Sequence, residues 1–239
     1  MVSLKVQDVV EGGDVLIDDD TLHHFSKVLR LPVGEAVELL DGTGQGIRGI
    51  WERGCVANAS PFTLENRLPP LVILQAMTKP QKLEEVVRRG TELGASEIYL
   101  FDAARSQGRQ GLKEKDRGRL ERVAADASRQ SLRGTLPKLL GPFFFAEMLT
   151  TVEAFAGVSV AGIVSASQSL STLLRQRESD LKKQGMQIAV GPEGGFTDEE
   201  AVQFLAAGGA GVRLGAHVMR TETAGPVALA AAQVVLGEL

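Results

Sequence analysis

Ile188-Ala189-Val190-Gly191-Pro192-Glu193-Gly194-Gly195-Phe196-Thr197-Asp198-Glu199-Glu200 is the stretch whose reading decides the fold. The apolar run ending at Val190 reads as a buried strand and Gly-Pro-Glu-Gly-Gly as a tight loop. Thr197 with Glu200 forms a capping box that opens a helix. Glycines at 191, 194 and 195 let the backbone turn sharply with a ligand close by, although an ordinary strand-to-helix turn carries similar text. The spacing fits neither the Walker nor the Rossmann pattern, and Glu193 would repel a pyrophosphate. A cationic, largely apolar ligand such as a sulfonium-bearing nucleoside is compatible with exposed backbone groups beside a carboxylate.

A second loop follows at Val212-Arg213-Leu214-Gly215-Ala216-His217-Val218-Met219-Arg220-Thr221-Glu222-Thr223-Ala224. A strand enters and an Ala-rich helix leaves. Pro226 is tolerated only in a first turn, which places the helix start near Thr223 and leaves residues 214–222 irregular. An Arg-Thr-Glu-Thr run just before an apolar helix is hard to explain by packing, so Arg220 and Glu222 become candidate functional residues. His217, alone in its loop, reads as a surface or packing residue.

Upstream, strands and helices alternate from residue 71, which predicts an α/β domain over 71–239 with a mostly parallel sheet. Residues 71–76 and 97–101 read as strands around a helix carrying Leu83, Val86 and Val87 and closed by Gly94. A long helix follows with Leu120, Val123, Ala124, Ala127 and Ser131 on one stripe. Residues 158–164 and 187–190 read as further buried strands, and 223–236 as a terminal helix. Residues 1–68 read differently, with strands at 14–18, 36–40 and 47–51 suggesting a small β-barrel. The Asn66-Arg67-Leu68-Pro69-Pro70 segment suits neither a helix interior nor a central strand and marks the boundary. Gly42-Thr43-Gly44-Gln45-Gly46 reads as a hairpin, because a Rossmann loop must open a helix. His23 and His24 lack further ligands at zinc spacing, and no metal site is expected.

The 239 residues are 44% hydrophobic with a formal charge of −4, so nucleic-acid binding would need a local basic patch. Residues 105–133 hold nine Lys or Arg against four Asp or Glu. A solvated helix face is the ordinary explanation of such a run. One cysteine, Cys55, cannot close an intramolecular disulfide, and Met1 is not followed by a basic segment leading into an apolar run. A cytoplasmic location is expected. No apolar run approaches the roughly 20 residues of a membrane-spanning helix.

Gly-Pro-Glu-Gly-Gly followed by Leu-Gly-x-x-x-x-Arg-Thr-Glu-Thr-Ala resembles the paired signatures of the SPOUT-superfamily methyltransferases that make N3-methyluridine in 16S ribosomal RNA. His23-His24-Phe25-Ser26-Lys27-Val28-Leu29-Arg30, Thr91-Glu92-Leu93-Gly94 and Asp126-Ala127-Ser128-Arg129-Gln130-Ser131-x-Arg133 resemble the same family. Nearly the whole chain is covered. The resemblance implies a PUA-like β-barrel joined to a SPOUT domain whose C-terminal loops form a trefoil knot. It implies S-adenosylmethionine as cofactor, held by backbone groups of Val190, Gly191, Gly194, Gly195, Leu214, Gly215 and Met219. It also implies a homodimer acting on 16S ribosomal RNA within the small ribosomal subunit. Ser165-Ala166-Ser167 departs from the family's Leu-His element, Asp126 replaces a Glu, and Arg89 stands where Lys is common.

Methylation of a uridine at ring nitrogen 3 removes a weakly acidic imide proton, and Arg220 is the candidate to stabilise the anion. Glu222 or solvent could take the proton. His24, Lys27, Arg30, Arg105, Arg129 and Arg133 are the candidates to grip the RNA backbone. A non-catalytic RNA-binding assembly factor, and a SPOUT enzyme acting on another RNA, are the alternatives.

Overall fold

The computed structural model describes residues 10–64, 68–107 and 111–239; Met1, Asn66, Arg67 and, within the basic stretch 105–133, Arg109 lie outside them. The chain divides into two compact units, residues 1–67 with 128–136 and residues 68–127 with 137–239. The return of 128–136 to the first unit is absent from the expected division into 1–68 and 71–239.

The first unit is built on β1 (Gly13–Leu16), β2 (Ala36–Leu40), β3 (Gln45–Glu52) and β4 (Cys55–Thr63), with α1 (Asp19–His23) running into a π-helical turn at His24–Val28. The strands form an antiparallel sheet in the order β1-β4-β3-β2. Asp18 starts α1 by accepting the Thr21 N–H at 2.7 Å. Phe25 meets Trp51 edge to face at 5.3 Å, and Leu39, Ile47, Val56 and Ala59 close the core around them. The β2-β3 connection is a hairpin, as expected, with Asp41 Oδ1 accepting the Thr43 N–H at 2.7 Å. The 128–136 segment is tied to that hairpin. The Gly44 N–H donates to the Gly134 carbonyl at 3.1 Å, and the Leu136 N–H to the Gly42 carbonyl at 2.9 Å.

Strand β4 has no counterpart in the sequence prediction. It contains a proline and, at Asn58, a left-handed residue with φ 51°. The register slips there, so that Arg48 pairs with Ser60 but Ile50 pairs with Ala57. A bulge of this kind absorbs the left-handed residue. Among the described residues β1 pairs with β4 only as far as Ala59, so Pro61 lies beyond that pairing.

The second unit holds β5 (Leu71–Ala76), α2 (Pro80–Glu92), β6 (Glu97–Asp102), most of α3 (Glu114–Gln130), β7 (Lys138–Phe144), α4 (Phe145–Ala154) and β8 (Val158–Gly162). It continues with α5 (Leu170–Gln176), α6 (Glu178–Gln184), β9 (Met186–Val190), α7 (Asp198–Ala206), β10 (Ala210–Val212) and α8 (Thr221–Leu236). All six strands are parallel in the order β10-β8-β9-β5-β6-β7. Central strands β5 and β9 are buried at every residue, which is why they read as apolar runs without alternation, each broken by a single glutamine, Gln75 and Gln187. In α3 the buried polar residue is Ser128, whereas Ser131 lies past the helix end and is exposed.

From β5 the chain moves toward β6, whereas from β9 it moves the other way toward β10. Adjacent strands whose connections diverge leave a crevice at their C-terminal ends, the usual ligand position in open α/β sheets. Helix α8 begins at Thr221, two residues before the expected Thr223, with Arg220 as N-cap residue. The Thr223 and Ala224 N–H groups both donate to the Arg220 carbonyl, at 2.9 and 3.1 Å. Pro226 therefore sits in the second turn and withholds a donor from the Glu222 carbonyl. Among the described residues no helix is long and apolar enough to cross a membrane.

Candidate active site

A cavity of about 550 Å³ opens in the second unit where β8, β9 and β10 end. Its walls are residues 162–164, 190–195 and 212–221 with Lys82 and Ala224. Val190, Gly191, Gly194, Gly195, Leu214, Gly215, Met219 and Arg220 all stand on this wall. Glu222 does not. Lys82, which the sequence argument passed over, does.

The loop after β9 is held from several sides. A Cβ on Gly191 would lie 3.1 Å from Phe196 N and 3.2 Å from the Gly195 carbonyl carbon, so a side chain there would push on the loop's own backbone; Gly195 adopts φ +67°. The Gly191 carbonyl accepts the Thr221 hydroxyl at 2.7 Å, and that hydroxyl accepts from Gln75 Nε2 at 2.9 Å. Gln75 is fully buried in β5, so this relay fixes the loop to the middle of the sheet. Arg105 Nη1 donates to the Gly194 carbonyl at 2.7 Å and to the Phe196 carbonyl at 3.3 Å. The Phe196 ring stacks on Phe101 with centroids 6.4 Å apart. The expected capping box is present, and the same Glu200 carboxylate also accepts the Ala104 N–H at 2.6 Å.

The loop after β10 is held mainly at its ends. Arg213 donates its N–H to the Gln168 carbonyl at 2.9 Å and accepts the Leu170 N–H at 3.0 Å. Leu214 packs over Gly162, where a Cβ would come within 3.3 Å of its Cδ1, and a Cβ on Gly215 would lie 3.0 Å from Met219 Cε. Ala216, His217 and Val218 are exposed.

Four charged groups gather beside the glycine loop. Lys82 Nζ lies 3.1 Å from Glu193 Oε1 and 3.6 Å from Glu222 Oε2. Arg220 Nη1 lies 3.9 Å from Glu222 Oε1 while its own side chain is 83% exposed. Glu222 is buried, and its Oε2 has no hydrogen-bond partner. Burial works against the charge on Glu193, but the Thr78 hydroxyl at 2.6 Å, a backbone N–H and Lys82 outweigh it and hold the carboxyl below its ordinary range.

Of the six residues offered to RNA, His24, Lys27, Arg30, Arg129 and Arg133 fall in the first unit. Lys27, Arg30 and Arg129 are exposed and His24 is half-buried. Burial lowers the Arg133 guanidinium to about 10, and its Nε donates to Thr135 Oγ1 at 3.2 Å. Arg105 belongs to the second unit and grips the glycine loop. Part of the basic stripe on α3 is structural. Arg117 donates to the Leu139 and Gly141 carbonyls, and Arg119 pairs with Glu84 at 2.8 Å.

The pattern shared by these loops is a known one: an RNA methyltransferase domain model matches residues 65–233, a span containing the entire cavity wall. The chain belongs to the RNA methyltransferase family. Within it, the chain is 30% identical to the ribosomal RNA small subunit methyltransferase E of Bacillus subtilis, over 96% of this chain and 93% of that protein. The like-named protein of a Synechocystis species is 32% identical over 87% of this chain and 69% of its own length. Among solved structures, a ribosomal RNA small subunit methyltransferase E from Neisseria gonorrhoeae bound to S-adenosyl methionine has a TM-score of 0.79 at 25% identity, covering 95% of this chain and 94% of that one. RNA methyltransferase membership accounts for the two features that ordinary packing does not: a glycine loop clamped open and a charged run at the head of an apolar helix.

Proposed function

We propose that the protein transfers a methyl group from S-adenosylmethionine to ring nitrogen 3 of a uridine in the 16S RNA of the small ribosomal subunit. The observation that carries this reading is the cavity whose walls are the two motif loops, with glycine backbone exposed on one side and the Glu193 carboxylate beside it. The volume suits a nucleoside-sized ligand. Gly191, Gly194 and Gly195 carry no side chain, so backbone groups of the loop are available to one.

Val190, Gly191, Gly194, Gly195, Leu214, Gly215 and Met219 hold the cofactor, which supplies an electrophilic methyl group on sulfur. Val190, Leu214 and Met219 give the site apolar surface, which keeps water from competing with the substrate. Arg220, anchored at the head of α8 but with its guanidinium exposed, donates to the uracil as negative charge grows. Glu222 stands behind the wall between Arg220 and Lys82, where it orients cations; the N3 proton leaves to water at the cavity mouth.

The first unit is a PUA-like barrel that grips the phosphate backbone through His24, Lys27, Arg30, Arg129 and Arg133. A trefoil knot of the C-terminal loops belongs to the same reading; it is in keeping with the hydrogen bonds that join residues 163–170 to 212–213. The protein works as a cytoplasmic homodimer on assembled small-subunit particles. Calorimetry with S-adenosylmethionine, followed by mass spectrometry of 16S RNA from a deletion strain, tests the reading. The expected result is binding by the protein and loss of one N3-methyluridine from the RNA. An unchanged RNA would sink it, and a monomeric mass by light scattering would remove the dimer.

A further inference from the structure

Lys82 occupies a position where a cation is out of place. It lies in the first turn of α2, which contains no acidic residue, and a helix N-terminus favours negative charge. Two carboxylates from other elements compensate, Glu193 from the loop after β9 and Glu222 from the first turn of α8. Glu222 is nine-tenths buried with Oε2 unbonded, which is costly unless a cation stays beside it. An ammonium group has three donors, and among the described residues only the one toward Glu193 is at hydrogen-bond distance. Lys82 thus reaches the cavity wall with donor capacity remaining.

We propose that Lys82 is a second catalytic donor, acting with Arg220 on the two carbonyl oxygens that flank N3 of the uracil, and that Glu193 and Glu222 are positioning residues for it. The inference rests on the methyltransferase reading given above. Removing the imide proton spreads negative charge over both carbonyl oxygens, and the site presents two cations joined through one carboxylate. The proton goes to water. The nitrogen electron pair forms the new bond to the methyl carbon, and the electrons of the broken sulfur–methyl bond stay on sulfur. Lys82 changes no bond; it stabilises the anion and so lowers the pH at which the imide reacts.

Single-turnover methylation of small-subunit RNA at saturating S-adenosylmethionine, measured against pH beside a cofactor-binding isotherm, tests this. Lys82→Met is expected to slow methylation about 10- to 100-fold, the scale of one charge-assisted donor. The rising limb of its pH–rate profile moves about one unit to higher pH. Cofactor affinity stays level or tightens, because a cation has been removed near a sulfonium. The charged groups facing Lys82 are Glu193, Glu222 and, through Glu222, Arg220; Lys79 is the N-cap residue of the same helix and His217 stands on the cavity wall. Lys82→Met/Glu222→Gln removes cation and buried partner together, which protects the fold if the single variant is unstable. It is expected to show the same shifted limb.

An unshifted profile, or cofactor affinity falling in step with the rate, overturns the catalytic role and leaves Lys82 a brace. A parent protein that binds no S-adenosylmethionine and methylates no small-subunit RNA overturns the reading of the site, and this inference with it.

Discussion

The two loops that wall the cavity are built on opposite plans. Residues 191–197 are fastened by side chains from several other places: Gln75 through Thr221, Thr78, Lys82, Arg105, Phe101 and the Glu200 capping box. Residues 213–220 are fastened at Arg213 and again where α8 begins, with His217 and Val218 exposed between. A clamped loop holds a fixed ligand shape without reorganisation, whereas a loop tied only at its ends can adjust to a second, larger partner. We propose on this contrast that the first loop sets the shape of the bound cofactor, and that the second, besides lending Leu214, Gly215 and Met219 to it, responds to the substrate.

The comparison breaks first at Gly191. Gly191→Val forces backbone atoms of the same loop apart and is expected to weaken S-adenosylmethionine binding at least about 100-fold, the upper end of overpacking costs. Calorimetry reads this directly, and parent-like affinity would remove the loop from the pocket. Gly194→Val should also abolish measurable binding if its side chain enters ligand space, but its Cβ first meets the Arg105 side chain at 3.1 Å, which can swing away. Retained binding would then show that the space beyond Gly194 is not used.

Arg220→Lys sharpens the other side. It keeps charge but loses the planar fork, so single-turnover methylation is expected to fall about 10²-fold with cofactor affinity unchanged. A matched fall in affinity would make Arg220 a loop tie. Thr221→Val keeps the shape of the relay but leaves the Gly191 carbonyl and the Gln75 amide short of a partner. A stability loss of about 1–3 kcal/mol in urea unfolding is expected. Parent-like stability would mean that the relay contributes nothing to the fold.

The smallest effect is acid. Because the Glu193 carboxyl lies below its ordinary range, its contribution is complete above the usual value of about 4.3 and is lost as pH falls through the depressed value. Loop order and cofactor affinity should stay level from neutral pH to about 5 and decline only below that range. A Glu193→Gln protein should lack that acid limb, and a limb that survives the substitution belongs to another group.

Much of this was legible in order along the chain. Largely apolar runs at 71–76 and 187–190 announced central parallel strands because burial on both faces removes any alternation. Thr197 and Glu200 announced a helix start because the capping box is a local chemical pattern. What escaped depended on partners far away in sequence. Pro61 and Asn58 disguised β4, since the bulge that absorbs Asn58 does not exist until β3 is in place. Residues 138–154 and 170–184 carried no pattern that named their strand and helices. Lys82 looked like a solvated lysine at the start of an amphipathic helix, because its carboxylates are 111 and 140 positions further on (193 − 82 and 222 − 82). Gln75 was visible as the one amide inside an apolar run, and that interruption could have pointed to the relay.

The return of residues 128–136 to the first unit has a consequence for synthesis. The hairpin at Gly42 and Gly44 leaves the ribosome early, yet the carbonyl and N–H that complete its bonding belong to Gly134 and Leu136. Some ninety residues, most of them belonging to the other unit, must be made in between. The amino-terminal unit is therefore finished only after the chain has laid down β5, β6 and nearly all of α3, and cutting the gene at residue 67 would not release it whole.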